Sequence, residues 1–173
     1  MKKLIISCFL IASMLCSMLI VSANGVVYEN VTLLNPEDVR ESTCINQDVI
    51  TLPAVRDSFA PDYTTAYFNI NDTVINGNSE RYAVQIEIDY YDGGKGGYFY
   101  LTYDSFDNSS KQSQDYGSVF GTLEGANGTK KTKTFVLYDA KMGNRMTNGA
   151  DFSITSNLYD INIFAVRASV LSV

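Results

Sequence analysis

Apolar and polar residues alternate along much of the chain, and the alternation is clearest between residues 81 and 91. Tyr82, Val84, Ile86, Ile88 and Tyr90 occupy every second position of this segment. A period of two residues is typical of a β-strand with one face in a core and the other in solvent. Residues 92–97 then have the sequence DGGKGG, which favours a tight turn. The pattern predicts a β-hairpin in which residues 98–104 form the partner strand.

Short segments rich in Val, Ile, Thr, Tyr and Phe recur along the rest of the chain, and none has helical periodicity. About nine strands are predicted from these patterns. Besides the hairpin they are residues 26–33, 48–52, 64–70, 118–123, 133–138, 150–155 and 160–171. Residues 35–42 are expected to form a short helix or an irregular loop, and residues 107–114 a solvated loop. Short strands without intervening helices favour two packed antiparallel sheets, a jelly roll or a related sandwich.

The first 23 residues differ from the rest in pattern and composition. Lys2 and Lys3 precede an apolar run that ends in Val-Ser-Ala at residues 21–23. This arrangement is typical of a bacterial secretory signal peptide. Residues 1–23 are therefore predicted to be a signal peptide, and residues 24–173 a single secreted domain. The apolar run is also long enough to cross a bilayer, so membrane contact is expected only if the segment is retained as an anchor.

Charge and composition exclude several classes of function. Removal of the leader takes away two lysines and lowers the net charge from −6 to −8, which disfavours nucleic-acid binding. Only Cys44 remains after cleavage, so no disulfide can form within the domain. The chain contains no histidine, which excludes Ser-His-Asp and Cys-His centres. We expect a non-catalytic protein, and hydrolysis by two carboxylates is the enzymatic alternative that stays open.

The polar face of the predicted hairpin is the first candidate binding surface. A sugar stacks its C–H face on an aromatic ring while polar side chains bind its hydroxyls. Because the chain lacks tryptophan, only tyrosine or phenylalanine can supply the ring. The candidate ligand-binding residues are Gln85, Glu87, Asp89 and Tyr91 on the first strand, with Tyr98 and Tyr100 on the second. The alternative is an ordinary solvated strand surface, or one covered by the N-terminal strands.

A second candidate lies in the glycine-containing segment 139–151, where Arg145 follows Asn144 and stands between acidic residues. Two interpretations are open. In the first, Arg145 pins the loop onto the sandwich through Asp139 or Asp151, because a guanidinium can bind a carboxylate with two hydrogen bonds. In the second, Asn144 and Arg145 line a ligand cleft at the edge of the sandwich.

Two blocks of sequence resemble a known family. Residues 84–104, VQIEIDYYDGGKGGYFYLTYD, and residues 135–154, FVLYDAKMGNRMTNGADFSI, are similar to the galactose-binding-like β-sandwich modules of secreted bacterial glycoside hydrolases and related exported proteins. The resemblance implies an all-β, two-sheet antiparallel jelly-roll sandwich. Related sandwiches often carry a structural calcium ion between their first and last strands, which needs hard oxygen ligands. Candidate calcium ligands are Glu29 and Asp160, with Asp57 and Asp62 as further acids.

Together these observations predict a secreted, non-catalytic, lectin-like β-sandwich. Its partner is expected to be an extracellular glycan or cell-surface polysaccharide, recognised by tyrosine stacking and polar hydrogen bonds. The alternative is an exported structural or protein-interaction scaffold with no sugar ligand. Exposed tyrosines would favour the glycan hypothesis, whereas burial of Tyr91, Tyr98 and Tyr100 would favour the scaffold.

Overall fold

A computed structural model describes residues 26–44, 47–52, 65–77, 81–92, 96–120, 129–157 and 160–171. The predicted signal peptide lies outside these residues. The described segments form 11 β-strands and two short 3₁₀ turns. None of their helical turns has the length and apolar character needed to cross a membrane.

The strands are numbered in chain order. They are β1 (Val27–Glu29), β2 (Val31–Leu33), β3 (Arg40–Cys44), β4 (Gln47–Leu52), β5 (Thr65–Ile70), β6 (Tyr82–Asp92), β7 (Gly96–Tyr103), β8 (Lys111–Phe120), β9 (Thr129–Ala140), β10 (Phe152–Asn157) and β11 (Ile161–Val170). The 3₁₀ turns are Pro36–Asp38 and Thr147–Gly149.

The strands form two sheets that pack face to face. One has the order β3-β4-β11-β6-β9, with β1 parallel to β11, and the other has the order β2-β5-β10-β7-β8. The pairing is nested and antiparallel: β4 pairs with β11, β5 with β10, β6 with β9, and β7 with β8. Each of the last four strands, β8 to β11, therefore pairs with one of the four strands before them, in reverse order. This arrangement confirms the predicted all-β sandwich.

The core lies between the sheets and is built from the inward-facing positions of both. Phe68 and Phe152 of the five-stranded sheet stack with ring centroids 5.0 Å apart. Phe99 of the same sheet packs edge-on against Tyr90 of the six-stranded sheet, at 5.1 Å. Phe135 on β9 lies 6.1 Å from Phe99. The contacts of Phe99 with Tyr90 and Phe135 join the two layers, because each strand turns alternate side chains toward the other sheet.

The predicted hairpin is wrong, although both of its strands exist. Strand β6 pairs with β9 and β11, whereas β7 pairs with β8 and β10 in the other sheet. Residues 93–95, within the predicted turn, lie outside the described residues. The alternation identified each strand correctly because each has one core-facing row. Alternation specifies which face is buried and does not specify which strand is the neighbour.

Three boundaries also differ from the prediction. The segment 26–33 divides at Asn30, whose φ of 61° separates β1 in one sheet from β2 in the other. Residues 40–44 form β3, where a helix or loop was expected, and only Pro36–Asp38 is helical. The predicted loop at 107–114 is half strand, because β8 begins at Lys111. Polar composition suggested a loop there, but an edge strand tolerates polar residues on its exposed face.

Candidate functional site

The outer face of the five-stranded sheet carries a pocket of about 300 Å³. Alternation along three neighbouring strands builds its floor. On β5, Ala66 and Phe68 are buried in the core, so Thr65 and Tyr67 face outward. Strands β10 and β7 repeat this pattern. The residues that line the pocket are Thr65, Tyr67, Tyr100, Thr102, Ser109, Ser110, Arg145, Met146, Thr147, Ser153 and Thr155.

The strand register arranges the floor as two rows of three side chains. The rows are Tyr67, Ser153 and Thr102, then Thr65, Thr155 and Tyr100. Tyr67 and Tyr100 therefore stand at opposite corners, with Ser153 and Thr155 between them on β10. Two strand spacings separate the tyrosine backbones laterally, which is about 10 Å. The hydroxyls of Thr65 and Thr155 lie 3.0 Å apart and hydrogen-bond to each other.

Two loops form the walls of the pocket. Ser109 and Ser110 belong to the connection between β7 and β8, and residues 145–147 belong to the connection between β9 and β10. Ser105 shapes the first loop: its hydroxyl donates to the Asn108 carbonyl and accepts from the Asn108 N–H. These bonds hold the turn that presents the two serines at the pocket edge.

Asn35 holds the outer edge of the pocket floor. Strand β2 pairs with β5 as far as Leu33, and the Leu34 N–H still donates to the Tyr67 carbonyl at 2.8 Å. Beyond that point the Asn35 side chain continues the pairing. Its amide nitrogen donates to the Thr65 carbonyl at 2.8 Å, and its oxygen accepts from the Tyr67 N–H at 2.8 Å. Asn35 is fully buried. A satisfied buried amide of this kind orients the backbone on both sides of residue 66, and so positions Thr65 and Tyr67.

Arg145 is pinned to the sandwich, but by an acid that the sequence analysis did not single out. Its Nε and Nη2 both donate to Oδ1 of Asp104, at 2.9 and 2.6 Å, and Nη2 also donates to the Ser105 carbonyl. The prediction that Asp139 or Asp151 would be the partner is wrong. Asp104 immediately follows β7 and is completely buried, while the Arg145 side chain is 36% exposed. The hydrogen bonds to Asp104 raise the pKa of Arg145.

Asp151 organises the same loop through backbone contacts. Its carboxylate accepts the N–H groups of Asn144, at 2.9 Å, and of Ile70, at 2.9 Å. The side chain is buried, and this desolvation raises the pKa of Asp151 despite the two hydrogen bonds. Asn144 has a φ of 58°, in the left-handed region that asparagine tolerates. The predicted site residue Asn144 is thus held beside Arg145, although it does not line the pocket.

Asp139 bridges the two sheets instead. It lies on β9 and accepts hydrogen bonds from the Tyr103 hydroxyl, at 2.6 Å, and from Lys111 Nζ, both on the five-stranded sheet. Burial of Asp139 tends to raise its pKa, but the hydrogen bonds from Lys111 and Tyr103 outweigh that effect and lower it. Burial and the contact with Asp139 also raise the pKa of Tyr103.

This contact predicts a specific acid sensitivity. Because the folded pKa of Asp139 is lowered, its ionised form stabilises the fold fully above the ordinary aspartate pKa of about 4, and the stabilisation is lost as the pH falls through the lowered value. We expect Asp139→Asn to be less stable than the wild type near neutral pH, and the gap to shrink below about pH 4. Urea denaturation of both proteins across this range measures the gap. A gap that is the same at every pH would contradict the prediction.

Strand β6 holds four of the predicted ligand-binding residues on the outer side of the six-stranded sheet: Gln85, Glu87, Asp89 and Tyr91. Tyr98 and Tyr100 are on β7, in the other sheet. The expectation that all six share one surface is therefore wrong. Arg167 binds Asp89 and approaches Glu87 at 4.0 Å. Asp89, which is buried, also accepts from the Thr132 hydroxyl at 2.6 Å. These carboxylates are engaged within the sheet. Tyr91 and Gln85 complete the row.

The predicted tyrosines differ in exposure, so they do not all favour the same hypothesis, glycan binding or a protein scaffold. Tyr91 is 1% exposed and packs against Phe164, with ring centroids 5.1 Å apart. Tyr100 is half-buried and lines the pocket. The Tyr98 backbone pairs with Asn157 and Ser118, and its side chain is outside the described part of the chain. The structure therefore brings together Tyr100 and Arg145, out of the eight predicted ligand-binding residues.

The predicted calcium ligands do not meet. Glu29 on β1 is opposite Arg167 on β11, and its carboxylate lies 3.9 Å from the Arg167 Nε. Asp160 immediately precedes β11 and is seven residues before Arg167 in the chain. Along a strand, seven residues span about 20 Å, so Asp160 lies far from Glu29. Asp57 and Asp62 lie outside the described residues. Among the residues that are described, no group of three acids, cysteines or histidines could hold a metal ion.

Sequence reasoning missed most of the pocket floor. Tyr67, Ser153 and Thr155 belong to segments that were correctly predicted as strands. Their outward orientation followed from the alternation. Their proximity did not, since β5 and β10 are more than 80 residues apart in the chain and pair only in the folded sheet.

No protein-family model, curated protein or solved structure matches this chain. The class defined by the fold is an all-β sandwich with a hydroxyl-lined pocket on one outer face. The pocket is therefore the feature of the molecule from which a function can be inferred.

Proposed function

We propose that the protein is a secreted, non-catalytic carbohydrate-binding module that holds part of an extracellular glycan in the pocket of the five-stranded sheet. One observation carries the proposal: nine of the 11 lining residues have a hydroxyl group, and two of those nine are the tyrosines at opposite corners. A surface that combines aromatic rings with many hydrogen-bonding groups suits a ligand with the same mixture. Sugars have it, because apolar C–H faces alternate with hydroxyls around each ring.

The dimensions of the pocket support a small ligand. At about 300 Å³ it is at the lower end of the range for ligand pockets, which suits one or two sugar rings better than a long chain. A ring above Ser153 and Thr155 would have a tyrosine on each side. Because the site is open to solvent and its floor is preformed, we expect weak equilibrium binding.

The strand order supports a jelly-roll assignment. In the strands from β4 to β11, the first pairs with the last, the second with the seventh, and so on to the central pair. This nested pairing is that of a long hairpin rolled into two sheets, as in double-sheet jelly rolls. With the sequence blocks 84–104 and 135–154, it supports membership of the galactose-binding-like modules. Fold alone does not specify a sugar ligand, and the main support for one is the chemistry of the pocket.

Secretion is proposed from the basic and apolar pattern of residues 1–23. Structural calcium also remains a proposal, but Glu29 and Asp160 lie too far apart to bind the same ion. Nucleic acid is not proposed as a partner, because the net charge is negative.

A protein-interaction scaffold is the second candidate, and one surface favours it. Tyr138 and Val136 lie on β9, at the edge of the six-stranded sheet, with exposed fractions of 77% and 40%. Both face outward, because Phe135 and Leu137, which occupy the alternate positions of the strand, are buried in the core. Exposed apolar side chains on an edge strand are typical of surfaces that bind another protein.

A glycan array followed by calorimetric titration tests the two candidates. We expect saturable binding of residues 24–173 to one class of sugar, and roughly tenfold weaker affinity for Tyr100→Ala and for Tyr67→Ala, since each loses an aromatic face. Tyr138→Ala is the matched control, because it removes an exposed tyrosine from the other sheet, and its affinity should not change. A blank array with a folded protein would reject the glycan hypothesis and favour the scaffold.

A further inference from the structure

In its described lining, the pocket contains a positively charged side chain and no negatively charged one. Among the described residues that line it, Arg145 is the one with a formal charge, and no carboxylate is present. The nearest acid in the contact network is Asp104, which is completely buried and lies against the Nε and Nη2 edge of the guanidinium. The exposed part of Arg145 therefore presents positive charge to the pocket without a competing carboxylate in the lining.

The hydrogen bonds of Arg145 to the protein use only some of the N–H donors of its guanidinium. Nε and Nη2 bind Asp104, and Nη2 also binds the Ser105 carbonyl, whereas Nη1 makes no hydrogen bond within the described part of the chain. An arginine has five N–H donors, and two of them belong to Nη1. The pin fixes the orientation of the side chain, so little conformational freedom is lost when Nη1 binds a ligand.

We infer that the glycan bound in this pocket carries an anionic group, a hexuronate carboxylate or a sulfate ester, and that Nη1 of Arg145 binds it. The inference rests on the proposed function and specifies the class of sugar. An anion fits because charge-assisted hydrogen bonds are stronger than neutral ones. The surrounding threonine and serine hydroxyls can donate to the same group. A cationic amino sugar does not fit, since the lining offers it no carboxylate.

Matched pairs of glycans test this inference without any mutation. The array carries each hexuronate oligosaccharide beside its carboxyl-reduced counterpart, and each sulfated oligosaccharide beside its desulfated form. We expect one acidic form to bind about tenfold more tightly than its neutral partner. The hexuronate and sulfate pairs distinguish the two sources of charge. Equal or tighter binding of the neutral partners would overturn the inference while leaving glycan binding intact. Binding of no glycan would overturn the proposed function as well.

A variant then assigns the preference to Arg145. Arg145→Lys keeps a positive charge near Asp104 and removes Nη1, so the ratio of acidic to neutral affinity should fall toward one. Arg81→Lys is the control, because Arg81 forms an exposed ion pair with Asp107 outside the pocket. An unchanged ratio in a folded Arg145→Lys protein would overturn the role of Arg145. If that variant does not fold, the comparison of glycan pairs on the wild type still decides the question.

Discussion

Replacement of Asp104 by alanine should cost about 2–3 kcal/mol of folding free energy, because it removes the buried carboxylate that binds Arg145, while the partly exposed guanidinium left behind keeps some of its hydration. The carboxylate is completely buried, and besides Arg145 it accepts the Gly143 N–H at 2.8 Å. Without Asp104, the Arg145 guanidinium loses its counterion and the loop before β10 loses its main side-chain attachment. The wall of the pocket would move with that loop, so ligand affinity should fall together with stability.

Urea denaturation of the wild type and the variant measures this effect. Asp107→Ala is the control, since Asp107 also pairs with an arginine but is 69% exposed. Exposed pairs contribute about 0–1 kcal/mol, so this control should unfold near the wild-type midpoint. If the two variants shift the midpoint equally, the Asp104–Arg145 contact does not anchor the loop.

Gly77→Ala should be the second severe substitution, at about 2–4 kcal/mol. Gly77 has a φ of +64°, which is strained for any residue with a Cβ, and an added Cβ would lie 2.7 Å from the Cα of Gly143 and 3.0 Å from the Met142 carbonyl. Both of those neighbours are backbone, so neither can rotate away. Gly143 is two residues before Arg145, and the displacement would therefore reach the pocket wall.

Gly149→Ala separates conformational strain from crowding. Gly149 also has a positive φ, +72°, but no atom lies within 4 Å of an added Cβ. Only the strain remains there, and the expected cost is about 1 kcal/mol. Thermal or urea unfolding of the two variants gives the comparison. Equal destabilisation would show that close packing between Gly77 and Gly143 contributes nothing.

Part of the candidate site was predictable from the residues alone. Tyr100 and Arg145 were singled out by residue type, an aromatic ring on a strand face and a guanidinium in a loop rich in acids and amides. Both line the pocket. The partner of Arg145 was not predictable, because three aspartates at 104, 139 and 151 are chemically alike and their distances depend on how three separate loops and strand ends meet.

The sequence by itself determined the all-β class and the inward or outward orientation of most strand residues, because a two-residue period is a local property of the chain. Only the tertiary structure decided which strands are neighbours. It placed β6 and β7 in different sheets and put β10 between β5 and β7, which brought Tyr67, Ser153 and Tyr100 onto one surface. Strand pairing depends on burial of the whole core and on backbone hydrogen bonds that are the same for every sequence, so it leaves little trace in any single segment.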